Sequence, residues 1–467
     1  MRKSTARWRD ICIGVALTGT LTVPAAAGSA YGAAVPVPRP PAAAAAPTTS
    51  APSPSGDAFT QLSPAVATQL DAAIQQVMKD ANVPGVVVAL SAPGKGQYLR
   101  SFGVADKATR QRMTPVVNQR IGSVTKTFTV TALLELVDQD KLGLDDPIGK
   151  YVSGVPNGDR ITLRQLAEMR SGLVSYSEDP DWFKAFSANP RRPFTPQQLL
   201  DYSFKHPVKF QPGVQFDYSN TNLILLGLVV EKAGGMPLQD FIAKNVVGPA
   251  GLRHTFLPTD AAFPRPHAQG YTNDTGQLEV ATDWNPSWGW AAGAMISDLR
   301  DLRTWAKVLA TGTLLTADTQ KQRLDTLPTG VGNAGYGLGI FDVGGWIGHN
   351  GSLPGYETIV AYLPESQATM VVMLNTDILV DEVEPSTLFG KAITRIVSPD
   401  HVYDLPKPTE KKSPSSSPSS SAPTSSSKSA STPAPTSSSA SASTPAPTST
   451  STPASSPPAP PFPSSSP

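Results

Sequence analysis

Proline decides first what this chain can fold into. Each proline lacks a backbone N–H and holds φ near −65°, so a stretch dense in it joins neither a helix interior nor the middle of a sheet. The chain has 467 residues and 47 prolines, about twice the ordinary share of ~5%. Residues 1–64 and 406–467 hold 25 of them, and the 341 positions between hold 22. The sequence therefore predicts one sizeable globular domain, residues 57–405, between two extended arms. Residues 34–56 are Ala, Pro, Thr and Ser with almost no apolar periodicity and read as a linker. The tail, 406–467, is rich in Ser, Pro and Thr, repeats SASTPAPT at 429–436 and 441–448, and carries one aromatic residue, Phe462. It cannot bury enough apolar surface to offset its ordering entropy and is expected to be disordered. A domain of about 340 residues, by contrast, hides about three quarters of its unfolded surface.

Arg2, Lys3, Arg7 and Arg9 precede an apolar run from Ile11 to Val23, followed by Pro24 and small residues. That order predicts a secretory signal over residues 1–33. The run has 13 residues, short of the ~20 that a spanning helix needs. Its removal takes away Cys12, the only cysteine, so a disulfide scaffold is excluded. The expected product is secreted, monomeric and without a stable membrane anchor, and cell-wall associated if the tail serves as a spacer. The net charge is +1 and no Lys/Arg block marks a phosphate-tracking surface, which leaves no electrostatic case for nucleic acid.

Within the domain, Pro64–Lys79 has helical apolar spacing. Gly85–Ser91 and Gln97–Gly103 read as strands joined by Gly94-Lys95-Gly96. Residues 123–320 are mostly helical in pattern, broken by Pro/Gly loops. Tyr356–Leu363 and Thr369–Leu374 form a second hairpin signal around Pro364-Glu365-Ser366, and Glu384–Ile396 returns to helical spacing. Strands from both ends of the domain with helices between them predict an α+β fold, in which one antiparallel sheet is flanked by helices and carries a mostly helical insert. A cleft is expected at the seam.

No HExxH, cysteine pair or His/Asp/Glu cluster points to a metal, and the five histidines are scattered. No cofactor is expected. Three short segments can carry chemistry. Ser123-Val124-Thr125-Lys126 opens a helix over Thr125–Val137, where a Ser–Lys pair three apart shares one face. A serine in the first turn has a backbone N–H without an intrahelical partner, free to hold an oxyanion. Lysine can act as a base only when neutral, against an ordinary pKa of ~10.4, so such a pair needs a closed cleft. The spacing alone is weak, since Ser425–Lys428 also matches.

Tyr218-Ser219-Asn220, before the apolar Leu223–Val230, offers a proton-relaying phenol and an amide that can hold lysine and substrate. Tyr271-Thr272-Asn273 has the same spacing but runs into Asp274-Thr275-Gly276 and reads as an exposed turn. His349-Asn350-Gly351-Ser352 offers a glycine beside an edge strand, for close approach of a substrate backbone. The Ser352 N–H is a second oxyanion donor there. Lys141–Gly143 and Lys232–Gly234 resemble this third segment but sit at helix ends, where glycine caps. On the residues alone, an N-cap serine followed by a solvated lysine and a satisfied surface histidine stay open, as does a non-catalytic wall-binding or sensor protein.

In this order the three segments resemble the motifs of the serine β-lactamase and penicillin-binding protein superfamily, in its class C-like branch where Tyr-x-Asn is the middle motif. GSVTKTFTVTALLELVDQDKLGLDDPI, ITLRQLAEMRSGL, YSNTNLILLGLVVEKAGG, SWGWAAGAMISDLRDL and YGLGI are similar to stretches of its secreted D-alanyl-D-alanine carboxypeptidases. The resemblance covers roughly residues 65–400. It implies that Ser123 is acylated, that Lys126 and Tyr218 share base and acid duties, and that His349 tunes the tyrosine. It further implies that Asn220 positions the substrate amide, that Ser123 and Ser352 N–H groups hold the oxyanion, and that Trp288 lines the acyl pocket. Asn350 and Gly351 fall in the substrate-binding third motif. Two positions depart from those carboxypeptidases: Asn350 replaces their Thr, and Phe341 stands where a carboxylate-binding Arg is expected. The implied activity is D-alanyl-D-alanine carboxypeptidase on peptidoglycan stem peptides, with β-lactams as acylating ligands. An esterase, D-aminopeptidase or β-lactamase on the same scaffold is the alternative.

Overall fold

The computed structural model describes residues 58–405. The signal, linker and tail expected at 1–33, 34–56 and 406–467 lie outside the described residues, as do Cys12 and the Ser425–Lys428 match.

The chain enters through a helix, α1 (Pro64–Asp80). Ser63 caps it by accepting from Val66 N, and Pro64 occupies the first turn, where its missing N–H costs nothing. Leu70 and Ile74 face inward. Strands β1 (Gly85–Ala92), β2 (Gly96–Asp106) and β3 (Gln111–Arg112) follow. After the insert the sheet resumes with β4 (Leu327–Pro328), β5 (Gly335–Tyr336), β6 (Phe341–Val343), β7 (Trp346–Leu353), β8 (Tyr356–Leu363) and β9 (Ala368–Leu374). Their order is β3-β2-β1-β9-β8-β7-β6-β5-β4, antiparallel throughout. The two ends of the domain meet where Val86 pairs with Leu374.

Every residue of β8 and β9 is buried, which requires cover on both faces and explains why these strands are apolar apart from Glu357, Thr358 and Thr369. The last helix, α5 (Pro385–Val397), packs on them and against α1, and α4 (Leu299–Thr311) from the insert packs on them as well. Tyr98 of β2 ties α1 to the sheet through its hydroxyl, which donates to Asp71 Oδ1 at 2.7 Å.

The insert is built on α2 (Thr125–Asp138) and α3 (Asn220–Gly234), which pack against each other. The expected apolar face of α2 is buried, but so are Thr125, Thr127, Thr129 and Thr131. Their hydroxyls are bonded: Thr129 Oγ1 donates to Ala291 O, and Thr127 Oγ1 accepts from Trp305 Nε1. Trp305 of α4 also stacks on Phe128 at 3.9 Å between ring centroids, joining insert to sheet. Two small sheets went unexpected: Gln119–Arg120 with Ile296–Ser297, and Tyr271–Thr272 with Glu279–Val280. The second corrects the reading of Tyr271 as an exposed turn residue. It is 6% exposed, sits on a strand, and its hydroxyl accepts from Lys107 N.

Candidate active site

Ser123 lies in a single 3-10 turn, Gly122–Val124, that runs directly into α2. Two glycines bring β7 against this turn. A methyl group on Gly122, whose φ is +52°, would come within 2.8 Å of Ser352 N. One on Gly351 would come within 2.1 Å of Ile121 O and 2.8 Å of Ser123 N. Only two residues without side chains allow that approach, and it places the backbone N–H groups of Ser123 and Ser352 on adjoining chain segments beside the serine hydroxyl.

Lys126 is fully buried one helical turn on. Its Nζ lies 2.9 Å from Ser123 Oγ and donates to Ala292 O at 2.8 Å. Ala292 belongs to the short helix Trp290–Gly293, which Thr129 also grips through Ala291 O, while Thr125 Oγ1 accepts from Met295 N just beyond it. The regular spacing of Thr125, Lys126 and Thr129 thus stitches the amine to a fixed carbonyl.

Tyr218 stands over the same amine, with Lys126 Nζ 4.9 Å from its ring centroid. Phe341 is stacked parallel to Tyr218 at 6.3 Å, and His349 lies 6.2 Å away. Phe341 is itself 3% exposed and packs edge-on to His349 at 4.9 Å. Where the resemblance places a guanidinium, this chain has an apolar wall. His349 is buried, and both ring nitrogens are engaged. Nδ1 donates to Asn350 O, so Nε2 is the acceptor, and Tyr336 donates its hydroxyl to it at 3.1 Å. Burial, reinforced by positive charge on Lys126 whenever that amine is protonated, holds the imidazole down to about 3, so it is neutral. Its hydrogen-bonded tyrosine is therefore Tyr336, within the YGLGI stretch, while Tyr218 lies against the ring.

Asn220 opens α3. Its backbone N–H donates to Ser175 Oγ at 3.1 Å and its Nδ2 to Ser177 Oγ at 3.2 Å. These two serines, bonded to each other at 2.9 Å, belong to a loop that sequence reasoning did not single out. Tyr176 between them donates its hydroxyl to Trp288 O. Trp288 packs in an aromatic cluster with Trp182 at 5.7 Å and Phe186 at 5.5 Å. Both come from the helix Pro180–Ala188, whose cap, Asp179, accepts from Trp182 N. Asn350 points elsewhere: alternation along β7 turns it away from the side of His349 and Gly351, and its Nδ2 donates to Glu384 Oε2 at 2.8 Å.

Ser123, Lys126, Tyr218, His349, Phe341, Gly351 and Ser352 are thus brought together, with Asn220 held through the serine loop and Trp288 in the aromatic cluster. Such a constellation has a nucleophile, an amine within hydrogen-bond reach of it, a phenol beside the amine and two candidate oxyanion donors, the parts that acyl transfer needs. Among the described residues no group of three His, Cys, Asp or Glu side chains gathers as for a metal ion.

The putative penicillin-binding protein PbpX of Bacillus subtilis is 25% identical over 59% of this chain and 66% of its own. A D-aminopeptidase of Brucella anthropi is 28% identical over 66% of this chain and 59% of its own. The chain thus spans under two thirds of the length of these curated relatives. The crystal structure of a D-stereospecific amidohydrolase from Streptomyces sp. superposes with a TM-score of 0.61 and 31% identity, covering 67% of this chain and 94% of that one. A family model described as Beta-lactamase matches residues 70–388. The chain belongs to the β-lactamase family, within the serine hydrolase superfamily that includes the penicillin-binding proteins.

Proposed function

We propose that this chain hydrolyses small D-amino-acid amides or peptides through an acyl-enzyme on Ser123. The observation that carries the reading is Lys126 Nζ at 2.9 Å from Ser123 Oγ in a buried setting. Burial favours the uncharged amine. In that form one N–H stays on Ala292 O and the lone pair accepts the Ser123 proton as Oγ attacks the substrate carbonyl. The tetrahedral oxyanion forms between the N–H groups of Ser123 and Ser352. Its collapse breaks the C–N bond, and the departing amine takes a proton from Tyr218, which Lys126 resupplies. Water then gives one proton to the same pair as its oxygen attacks the acyl carbon, and when the C–Oγ bond breaks to release the acid the pair returns that proton to Ser123 Oγ. Neutral His349 keeps a second positive charge away from Lys126. Asn220 orients the substrate amide, and Trp288 with its aromatic neighbours supports an apolar acyl group.

Phe341 favours amide or aminopeptide substrates over peptides ending in a free carboxylate. Without a bidentate arginine, a carboxylate loses one of the stronger orienting contacts available. Similarity to a D-aminopeptidase and a D-stereospecific amidohydrolase supports the same choice. The second reading, D-alanyl-D-alanine carboxypeptidase on peptidoglycan stem peptides, draws on the likeness of the three motifs and of PbpX. The positive head and apolar run of residues 2–23 support an exported enzyme.

A panel of D- and L-amino-acid amides, acyl esters and a peptide ending in D-alanyl-D-alanine decides between them. The proposal expects D-amides to be turned over fastest and Ser123→Ala to be at least about a thousandfold slower. Faster release of terminal D-alanine than of any amide would establish the carboxypeptidase reading instead.

A further inference from the structure

Behind the third-motif strand, on the side away from Ser123, lie two carboxyl groups that the proposed reaction does not use. Glu384 accepts from Asn350 Nδ2 at 2.8 Å and immediately precedes α5. Glu357 is on β8, directly across from Ser352 of β7, and is wholly buried. Its Oε2 accepts from Ser386 N at 2.7 Å, whereas its Oε1 has no hydrogen-bond partner among the described residues. Among the described residues, the neighbouring titratable groups are Asp377, whose charge acts on Glu357, and the Tyr403 hydroxyl, on which Glu384 acts. Two carboxylates in such a place repel each other and are costly to strip of water. Both carboxyls accordingly hold protons above their usual range, through burial first and, for Glu357, the neighbouring Glu384 charge.

We propose that Glu357 keeps a proton beside an ionised Glu384 and that the two brace the third-motif strand from behind, which makes Glu357 a positioning residue for the Ser352 N–H. The inference rests on the reading of that N–H as an oxyanion donor. The proton sits on Glu357 Oε1, the oxygen with no donor of its own, and Glu384 remains the acceptor for Asn350. Losing it leaves two negative charges against β7 and β8, and the strand carrying Asn350, Gly351 and Ser352 shifts off the nucleophile turn.

Two readouts on the full chain keep this separate from the hydrolase reading. Urea unfolding of wild type and Glu357→Gln between about pH 5 and about pH 8 requires no activity. The folded pair keeps a proton that an unfolded glutamate loses at about 4.3. Wild type should therefore lose stability as pH rises, by up to tenfold per pH unit in the unfolding constant beyond whatever the variant shows. Should Glu357→Gln not fold, the infrared C=O band of a protonated carboxyl in wild type at neutral pH carries the test instead, and its absence overturns the retained proton. Amide hydrolysis supplies the second readout. Glutamine keeps an acceptor for Ser386 N and puts an N–H where the proton was. Its kcat at neutral pH should stay within about twofold of wild type, and the alkaline fall in kcat should be lost. Glu357→Ala should lower kcat at least about tenfold with KM unchanged. Equal pH slopes in unfolding overturn the proton kept on Glu357. Different slopes, with Gln and Ala equally damaging to kcat or acting on KM instead, overturn the positioning role. No turnover by wild type on any substrate would overturn the hydrolase reading and the positioning role with it, while unfolding still decides the proton on Glu357.

Discussion

Replacing His349 by asparagine should flatten the pH dependence of folding stability on the acid side of neutrality. His349 is 2% exposed, and its imidazole is held neutral down to about 3 by burial, with the nearby Lys126 as the smaller cause and the bond to Asn350 O opposing both. The same side chain in the unfolded chain protonates at about 6.5. Between those values the unfolded state binds a proton that the folded state refuses, so stability is intact above the upper value and declines as pH falls. At about 1.36 kcal/mol per unit, going from about pH 7 to about pH 5 removes about 2 kcal/mol through this residue alone. That is a large fraction of a typical total of about 5–15 kcal/mol. Urea unfolding followed by tryptophan fluorescence at the two pH values measures it. His349→Asn should be less stable at neutral pH, because Tyr336 loses its acceptor, yet lose about 2 kcal/mol less than wild type on acidification. The remaining histidines contribute to both proteins and cancel. Equal losses would refute the reasoning and mean that His349 takes up a proton in the folded protein.

Gly351→Ala would push a methyl group to 2.1 Å from Ile121 O. It should cost about 1–3 kcal/mol in urea unfolding and slow hydrolysis at least about tenfold, as the serine turn is displaced. Phe341→Ala removes a buried ring that packs on Tyr218, Tyr336 and His349. It should lower stability by about 3–5 kcal/mol and reduce kcat on amides, and an unchanged kcat would mean that Tyr218 needs no support from that side. Asp217, next to Tyr218, is pushed up to about 6 by burial even though Lys209 bonds to it at 2.7 Å. Wild type should therefore lose stability relative to Asp217→Asn as pH rises from about 4 to about 6, which parallel urea titrations would register.

Much of this arrangement was legible because it is local. The Ser123–Lys126 spacing, the helix behind it, the apolar runs of β8 and β9 and the cap of α1 each need only a few neighbouring residues to be recognised. The resemblance then ordered the three motifs. What escaped depends on chain segments far apart in sequence. Two-residue strands such as Gly335–Tyr336 have no periodicity to read, so the Tyr336–His349 bond was not foreseen. The serine loop at 175–177 looks like any polar connection until α3 is placed beside it. Asn350 followed from its motif, but which way its side chain turns depends on strand alternation and on Glu384, 34 residues further on. Tyr271 was misread because its strand partners lie beyond a turn rich in polar residues, and its burial is decided by Lys107 and Asn375.

The central claim is a covalent intermediate on Ser123. Its most direct test is the intact mass of wild type and Ser123→Ala, quenched with acid during turnover of a D-amino-acid amide or ester. The account predicts an added acyl mass on wild type, mapping to the peptide that contains Ser123, and none on the variant. Turnover by Ser123→Ala at the wild-type rate, or an adduct that survives the substitution, would contradict it.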